Sequence, residues 1–404
     1  VGRLTWAGVA LALIGGGCQA KVDEVRQDTA LRELVKQRVP GIERATGLRF
    51  KTAPRLARRT REQVRDYLLH QLDTETPPAE FAAIATAYKL LGLLPDTLDL
   101  RSALLAVLAE QVAGYYDPDS ATLFIVADVD SFALRTTLSH ELVHALQDQY
   151  LPLDSLLRQK HQNDRTMAAK SILEGEATLA QTIVMMPELK REDLPSFWQQ
   201  RTVLYQQQTQ MKEFTRAPLY LRELLVFPYL AGADFVRWYE QDHPGQHPYG
   251  RALPVSTEQI LHPDRYAAGD QPTQLAFVGP APDTVRLEQD LGEFEIRLLF
   301  QELLGDPTGL RAAALATGWD GDRYQLLGRD DAAAALVWYS VWDDAAAADR
   351  FRKSLERAWQ ARRKPNRTVK IERVAIGDRA GVRLVDAPAT WIGWGHIPAV
   401  KLVR

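Results

Sequence analysis

Leu138-Ser139-His140-Glu141-Leu142-Val143-His144-Ala145-Leu146-Gln147-Asp148 is the stretch around which the rest of the chain is best read. Leu138, Leu142, Ala145 and Leu146 recur at helical spacing, which predicts a helix with a core-facing stripe. On a helix, residues i and i+4 stand one above the other, so the imidazoles of His140 and His144 share a face and can reach one metal ion. Glu141 lies beside that face, where its carboxylate can hold a water and take its proton. H-E-x-x-H within a helix points to a zinc site, one ion per chain.

A second stretch belongs with the first. In Ser171-Ile172-Leu173-Glu174-Gly175-Glu176-Ala177-Thr178-Leu179-Ala180, acidic residues are embedded in an apolar, helix-compatible run. A carboxylate buried there needs a partner. Catalytic zinc commonly takes two histidines and one glutamate and keeps its fourth position for water, which makes Glu174 the natural third ligand. The alternatives are a solvated helix carboxylate at Glu174, or Glu176 as the ligand.

His140, Glu141, His144 and Glu174-Gly175-Glu176-Ala177 together resemble the gluzincins, the thermolysin-like zinc metallopeptidases, in which a later helix supplies a glutamate, often within E-G-x-A. The resemblance implies that His140, His144 and Glu174 are ligands, that Glu141 is the general base, and that the substrate is a peptide or protein. It extends to Glu110-Gln111-Val112-Ala113-Gly114-Tyr115-Tyr116-Asp117-Pro118 and the strand-like run Ala121 to Ala127. Gluzincins place an edge strand before the metal helix to align an extended substrate, so that run is expected to be the edge. Ser256-Thr257-Glu258-Gln259-Ile260-Leu261-His262-Pro263 and Gly318-Trp319-Asp320-Gly321-Asp322-Arg323-Tyr324 look like segments of bacterial envelope proteins of this type. That looser likeness spans most of residues 40–345. The chain has no N-E-x-x-S-D run as in thermolysin, and its His-to-Glu spacing is longer, so cleavage preference does not carry over.

With 404 residues, 46% of them hydrophobic and 25% charged, the chain has the length and composition of a globular protein of two domains. A net charge of -3 and the lack of a long block of like charges give no reason to expect a nucleic-acid partner. Arg55, Arg58, Arg59, Arg61 and Arg65 cluster without interleaved aromatics and read as a solvated strand end and helix start. Arg3, the apolar run to Ile14 and Gly15-Gly16-Gly17-Cys18 have the layout of a secretory signal, too short to span a membrane. Cys18 resembles the lipidated cysteine of a bacterial lipobox, with Gly15 an unusual residue for its position; an ordinary cleavable signal is the alternative. The expectation is an exported, lipid-anchored envelope protein, and Gln19 in place of an Asp favours the outer membrane if the source is Gram-negative. Cys18 is the chain's one cysteine, so a Cys-ligated zinc site and disulfides are excluded.

The predicted organisation is a signal at 1–18, a tether and N-terminal helix at 19–40, a zincin-like metallopeptidase domain at 41–270, and a smaller C-terminal α+β domain at 280–404. The fold class is α+β, mainly helical with a small sheet. Strands are expected at Leu48–Thr52, Ala121–Ala127, Ala335–Trp342, Thr368–Val374 and Gly381–Val385. Thr60-Arg61-Glu62-Gln63 is a capping-box signature, and Gly114 is expected to close the helix over Leu98–Ala113. Residues 194–242 read as helical, interrupted at Pro228 and Gly232.

A peptidase also needs a donor for the developing oxyanion. His262 and Tyr266 are candidates; a surface histidine and a packed tyrosine are the plainer reading. Asp148, one turn past His144, is a candidate to orient an imidazole. His243 and His247 read as loop residues. Two other readings stay open. Glu141 to His144 and Glu240 to His243 are both E-x-x-H, the pair that builds a carboxylate-bridged di-iron site, although the second ends at a His-Pro step. A non-catalytic zincin-fold envelope scaffold is the third reading, against which the intact Glu141 speaks.

Overall fold

The computed structural model describes residues 24–403 except 158, 208–210 and 363; the signal and Cys18 lie outside them. The chain is mixed α/β with helices predominating. The N-terminal part runs α1 (Glu24–Thr46), β1 (Arg55–Arg59), α2 (Arg61–Glu75), α3 (Pro78–Leu91), α4 (Leu100–Gln111), β2 (Gly114–Asp117) and β3 (Thr122–Val126). Then come α5 (Ser131–Gln147), α6 (Leu153–Leu157), α7 (Asn163–Met185), α8 (Arg201–Gln207), α9 (Lys212–Arg216) and α10 (Leu219–Asp242). Beyond these lie α11 (Thr257–Leu261), α12 (Pro263–Ala267), β4 (Leu275–Val278), β5 (Val285–Gln289), α13 (Gly292–Leu304) and α14 (Leu310–Ala316). The chain closes with β6 (Trp319–Leu327), β7 (Ala335–Trp342), α15 (Ala345–Ala361), β8 (Arg367–Ile376), β9 (Arg379–Pro388) and β10 (Ala399–Leu402).

Among the described residues the strands form three sheets, in the orders β1-β3-β2, β10-β4 and β5-β6-β7-β9-β8. Thr60 starts α2 with the expected capping box: its side chain accepts from the Gln63 amide while Gln63 bonds back to the Thr60 amide. The strand expected at Leu48–Thr52 lies instead at Arg55–Arg59, where the arginine-rich run pairs in parallel with β3. Phe50 is held by its amide on the Glu43 carboxylate and packs with Leu48 against a core cluster without joining a sheet. Gly114 does not close α4; Val112 ends that helix and Gly114 opens β2.

Thr122–Val126 is not an edge. It is the central strand, paired in parallel with β1 and antiparallel with β2. The outer strand next to the metal helix is β2. A core cluster that includes Leu123, Ile125, Leu138, Leu142, Ile42 and Ala177 fills the space between this sheet, α1, α5 and α7. It seats α5 against α7. A second cluster includes residues from Val64 to Leu384 and unites α2, α3, α4, α7, α9, α10, α13, α14 and α15 with the five-stranded sheet. No described helix is long and apolar enough to cross a membrane.

Candidate metal centre

α5 begins at Asp130, whose carboxylate accepts from the amides of Phe132 and Ala133. All residues from Thr136 to Gln147 are buried, more than the expected single stripe, because β2 and β3 cover one side and α7 another. α7 in turn packs on α10 at a glycine pair. A Cβ on Gly175 would sit 2.1 Å from the carbonyl carbon of Gly232, and one on Gly232 would sit 1.9 Å from the Ser171 oxygen. Only residues without a side chain let two helix backbones touch this way. The crossing places Tyr229 of α10 over His140, with ring centroids 5.6 Å apart and planes 22° from parallel.

Three donor atoms converge between α5 and α7. Glu174 Oε2 lies 3.1 Å from His140 Nε2 and 3.3 Å from His144 Nε2. The two Nε2 atoms are 3.1 Å apart. A tetrahedral ion with bonds of about 2.0–2.1 Å holds its donors about 3.3–3.4 Å apart, so the triangle has the size of one face of such a site. All three residues are buried, and among the described residues they form the one group of three or more His, Cys, Asp or Glu donors that could hold a metal ion.

The other ring nitrogens are committed. His140 Nδ1 donates to Gln181 Oε1 at 3.2 Å, and His144 Nδ1 donates to Gln147 Oε1 at 2.9 Å. These bonds turn both Nε2 lone pairs inward, as metal ligation requires. Gln147 is itself anchored: its amide donates to the Leu173 carbonyl at 3.1 Å and to Glu176 Oε2 at 2.8 Å. Glu176 also accepts from His247 Nδ1 at 2.7 Å and from the Tyr249 hydroxyl. Positions 174 and 176 point about 200° apart around a helix, so one carboxylate faces the histidines and the other backs the glutamine.

Burial opposes charge on every group here, and the balance is set by proximity. Glu174 is penalised by burial, yet His144 and His140 pull its pKa well below the usual carboxylate range. Burial likewise disfavours a charged His144, but Glu174 and Glu141 raise its pKa to about 9. His140, fully enclosed, is pushed down by burial. The carboxylate between two imidazoles thus favours a cation at this point. Glu141 sits alongside: its Oε2 accepts from the Tyr116 amide of β2 at 2.8 Å, while Oε1 is buried with no hydrogen-bond partner. Burial drives its pKa well above normal.

The remaining candidates are placed elsewhere. Asp148 does not orient an imidazole, because both Nδ1 atoms are taken by glutamines; it accepts from the Tyr116 hydroxyl at 2.8 Å. His262 Nε2 bonds to Glu293 Oε1 at 2.8 Å, and the Tyr266 hydroxyl is spent on the Ala252 carbonyl at 2.7 Å. Neither is joined to the donor group. Glu240 pairs with Arg191 and His243 stacks on Tyr239, so this second E-x-x-H stays apart from the first. Sequence reasoning missed Gln147, Gln181 and Tyr229. Helical spacing carried a signal for two of them, since Gln147 is three residues past His144 and Gln181 seven past Glu174.

Residues 283–396 match the model of a domain of unknown function, DUF8575. No curated protein matches the chain. Among solved structures the chain is similar to a crystal structure from Chloroflexus aurantiacus, provisionally named as a hydrolase with a novel fold. The two share 20% identity over 62% of this chain and 92% of that one, with a TM-score of 0.35.

Proposed function

We propose that the protein is a zinc-dependent peptidase with a zincin-like active site, in which His140, His144 and Glu174 hold the metal and Glu141 is the general base. The observation that carries this reading is the buried donor triangle with the unpartnered Glu141 Oε1 beside it. A purely structural site has no use for an orphaned carboxylate oxygen, which costs free energy to bury. Zinc, when bound, lowers the pKa of water toward about 7 and polarises the substrate carbonyl. Glu141, steered by the Tyr116 amide, takes the proton of the attacking water and passes it to the leaving amine. Gln147 and Gln181 keep the imidazoles in the ligating tautomer throughout.

The test is metal analysis of the purified full chain together with hydrolysis of unstructured peptides. One zinc per chain and zinc-dependent cleavage are expected. Two irons, or cleavage that survives removal of all metal, would overturn the assignment. On the sequence of residues 1–18 alone, we further place the protein at the bacterial cell envelope, anchored by lipid on Cys18. Cys18→Ser should release it from membranes or block its maturation; a wild-type protein recovered unacylated and wholly soluble would refute the anchor.

A further inference from the structure

A cavity of about 1300 Å³ lies among α3, α4, α7, α10 and β5. One wall is the first half of α7, through Met167 and Lys170; another is the first half of α10, through Leu221, Leu224 and Leu225. Both helices continue from the cavity to the metal centre, although none of the donor residues lines the cavity. Lys170 is four residues, about 6 Å of helix, before Glu174, and Leu225 is four residues before Tyr229, which covers His140. Leu100 and Leu104 of α4 and Phe81 and Ile84 of α3 complete an apolar lining.

The third wall is of a different kind. All five residues of β5, Val285 to Gln289, line the cavity, and β5 is the edge strand of its sheet, paired only with β6 there. An edge strand presents backbone donors and acceptors to whatever lies beside it. One of them, the Glu288 carbonyl, already accepts from His161 Nδ1 at 2.7 Å. Val285 is 43% exposed. Of the basic residues that line it, Lys160 and Arg329 are exposed and have no ion-pair partner among the described residues. Of the acids lining the cavity, Glu295 is enclosed by the Tyr220 hydroxyl and Asn163, and Glu288 holds Gln325, which leaves Glu80.

We propose that this cavity binds the substrate as an extended peptide added to the outer edge of β5, with bulky apolar side chains between α7 and α10 and acidic residues toward Lys160 and Arg329. The inference rests on the peptidase reading above and adds where the peptide lies and which side chains it prefers. An acyl chain would use the apolar walls alone, whereas an edge strand recognises peptide groups. The segment that matches a domain of unknown function thereby supplies one wall of the substrate site.

Binding can be read without turnover in full-length Glu141→Gln, by fluorescence anisotropy of three labelled octapeptides: Leu/Asp, Leu/Lys and Ser/Gly. The Leu/Asp peptide should bind about tenfold or more tightly than the other two. Lys160→Glu with Arg329→Glu, both at exposed positions that spare the fold, should reverse the order of Leu/Asp and Leu/Lys. Leu224→Trp should weaken both. On the Glu141 background, the same variants should raise KM for a cleaved Leu/Asp peptide and leave kcat within about twofold. Equal binding of all three peptides, indifference to the substitutions, or saturable binding of labelled palmitate with no peptide binding would overturn the proposal. If the binding pattern holds but zinc-loaded wild type leaves the peptides intact, the peptidase reading falls and the peptide site stands. If peptides are cleaved with KM unmoved by the variants, the reverse holds.

Discussion

Gly175→Ala isolates the close approach of α7 and α10. Ala is intrinsically better than Gly in a helix by about 1 kcal/mol, so in an open position the change would stabilise the protein. Here the new methyl would lie 2.1 Å from the Gly232 carbonyl carbon and 2.5 Å from the Ala233 amide nitrogen. Carbon atoms rest at about 3.5–4.0 Å, so the crossing must open by about 1.5 Å. Both obstacles are backbone, and no rotamer change relieves them. Overpacking of this kind costs about 1–3 kcal/mol or more, which exceeds the propensity gain. The displacement also acts directly on function, because Glu174 precedes Gly175 and metal–ligand distances tolerate about 0.2 Å. The expected result is a thermal midpoint lowered by several degrees in the presence of chelator, and zinc affinity reduced about tenfold or more in chelator competition. Gly395→Ala, where a Cβ meets nothing within 4 Å, is the control and should change neither. Gly175→Ala with wild-type midpoint and wild-type zinc affinity would refute the backbone contact and the reasoning built on it.

Glu141→Gln should keep its zinc and lose peptide hydrolysis by about 10²-fold or more; unchanged hydrolysis would remove Glu141 from the mechanism. Glu174→Gln should lower metal affinity far more than Glu176→Gln, measured by chelator competition, and the opposite order would mean that the wrong carboxylate faces the histidines. Gln147→Ala should weaken metal binding by about 10–100-fold through the freed His144 ring, and full affinity would show that the tautomer is set elsewhere. Glu295 gives a pH prediction: burial raises its pKa to about 8, against 4.5 normally. A raised acid binds its proton more tightly when folded, so its stabilising contribution is whole below about 4.5 and is lost as pH rises through about 8. The span corresponds to about 5 kcal/mol at most. Denaturant unfolding of Glu295→Gln should therefore fall less steeply than wild type between pH 5 and 8.5, and parallel profiles would show that Glu295 does not titrate in that window.

What the sequence displays well is local. The spacing of His140 and His144 and the helix around Glu174 follow from a 3.6-residue period, and the structure brings those three residues together. What it hides depends on distant partners. Arg55–Arg59 reads as a charged cluster because its strand character comes from pairing with β3, a segment far along the chain. β6 does not read as a strand because Asp320, Asp322, Arg323 and Gln325 make it look solvated, yet the whole strand is buried. Asp322 can be buried because it accepts from the amides of Leu291 and Gly292 and the indoles of Trp319 and Trp338. Pro228 and Gly232 look like breaks, but α10 runs through both, held by α7 along its length. By spacing Asp148 can reach an imidazole, and only the positions of Gln147 and Gln181 show that the place is taken.

The order in which these parts leave the ribosome follows from where they lie in the chain. His140, His144 and Glu174 fall within one short span of sequence on α5 and α7, so a nascent chain extended to Met185 already contains every donor. The edge strand β5 has no sheet to border until β6 and β7 have been synthesised and paired, far downstream. The donor set is therefore synthesised well before the wall formed by β5 can exist, and an unfinished chain holds all three donors while still lacking that side of the cavity.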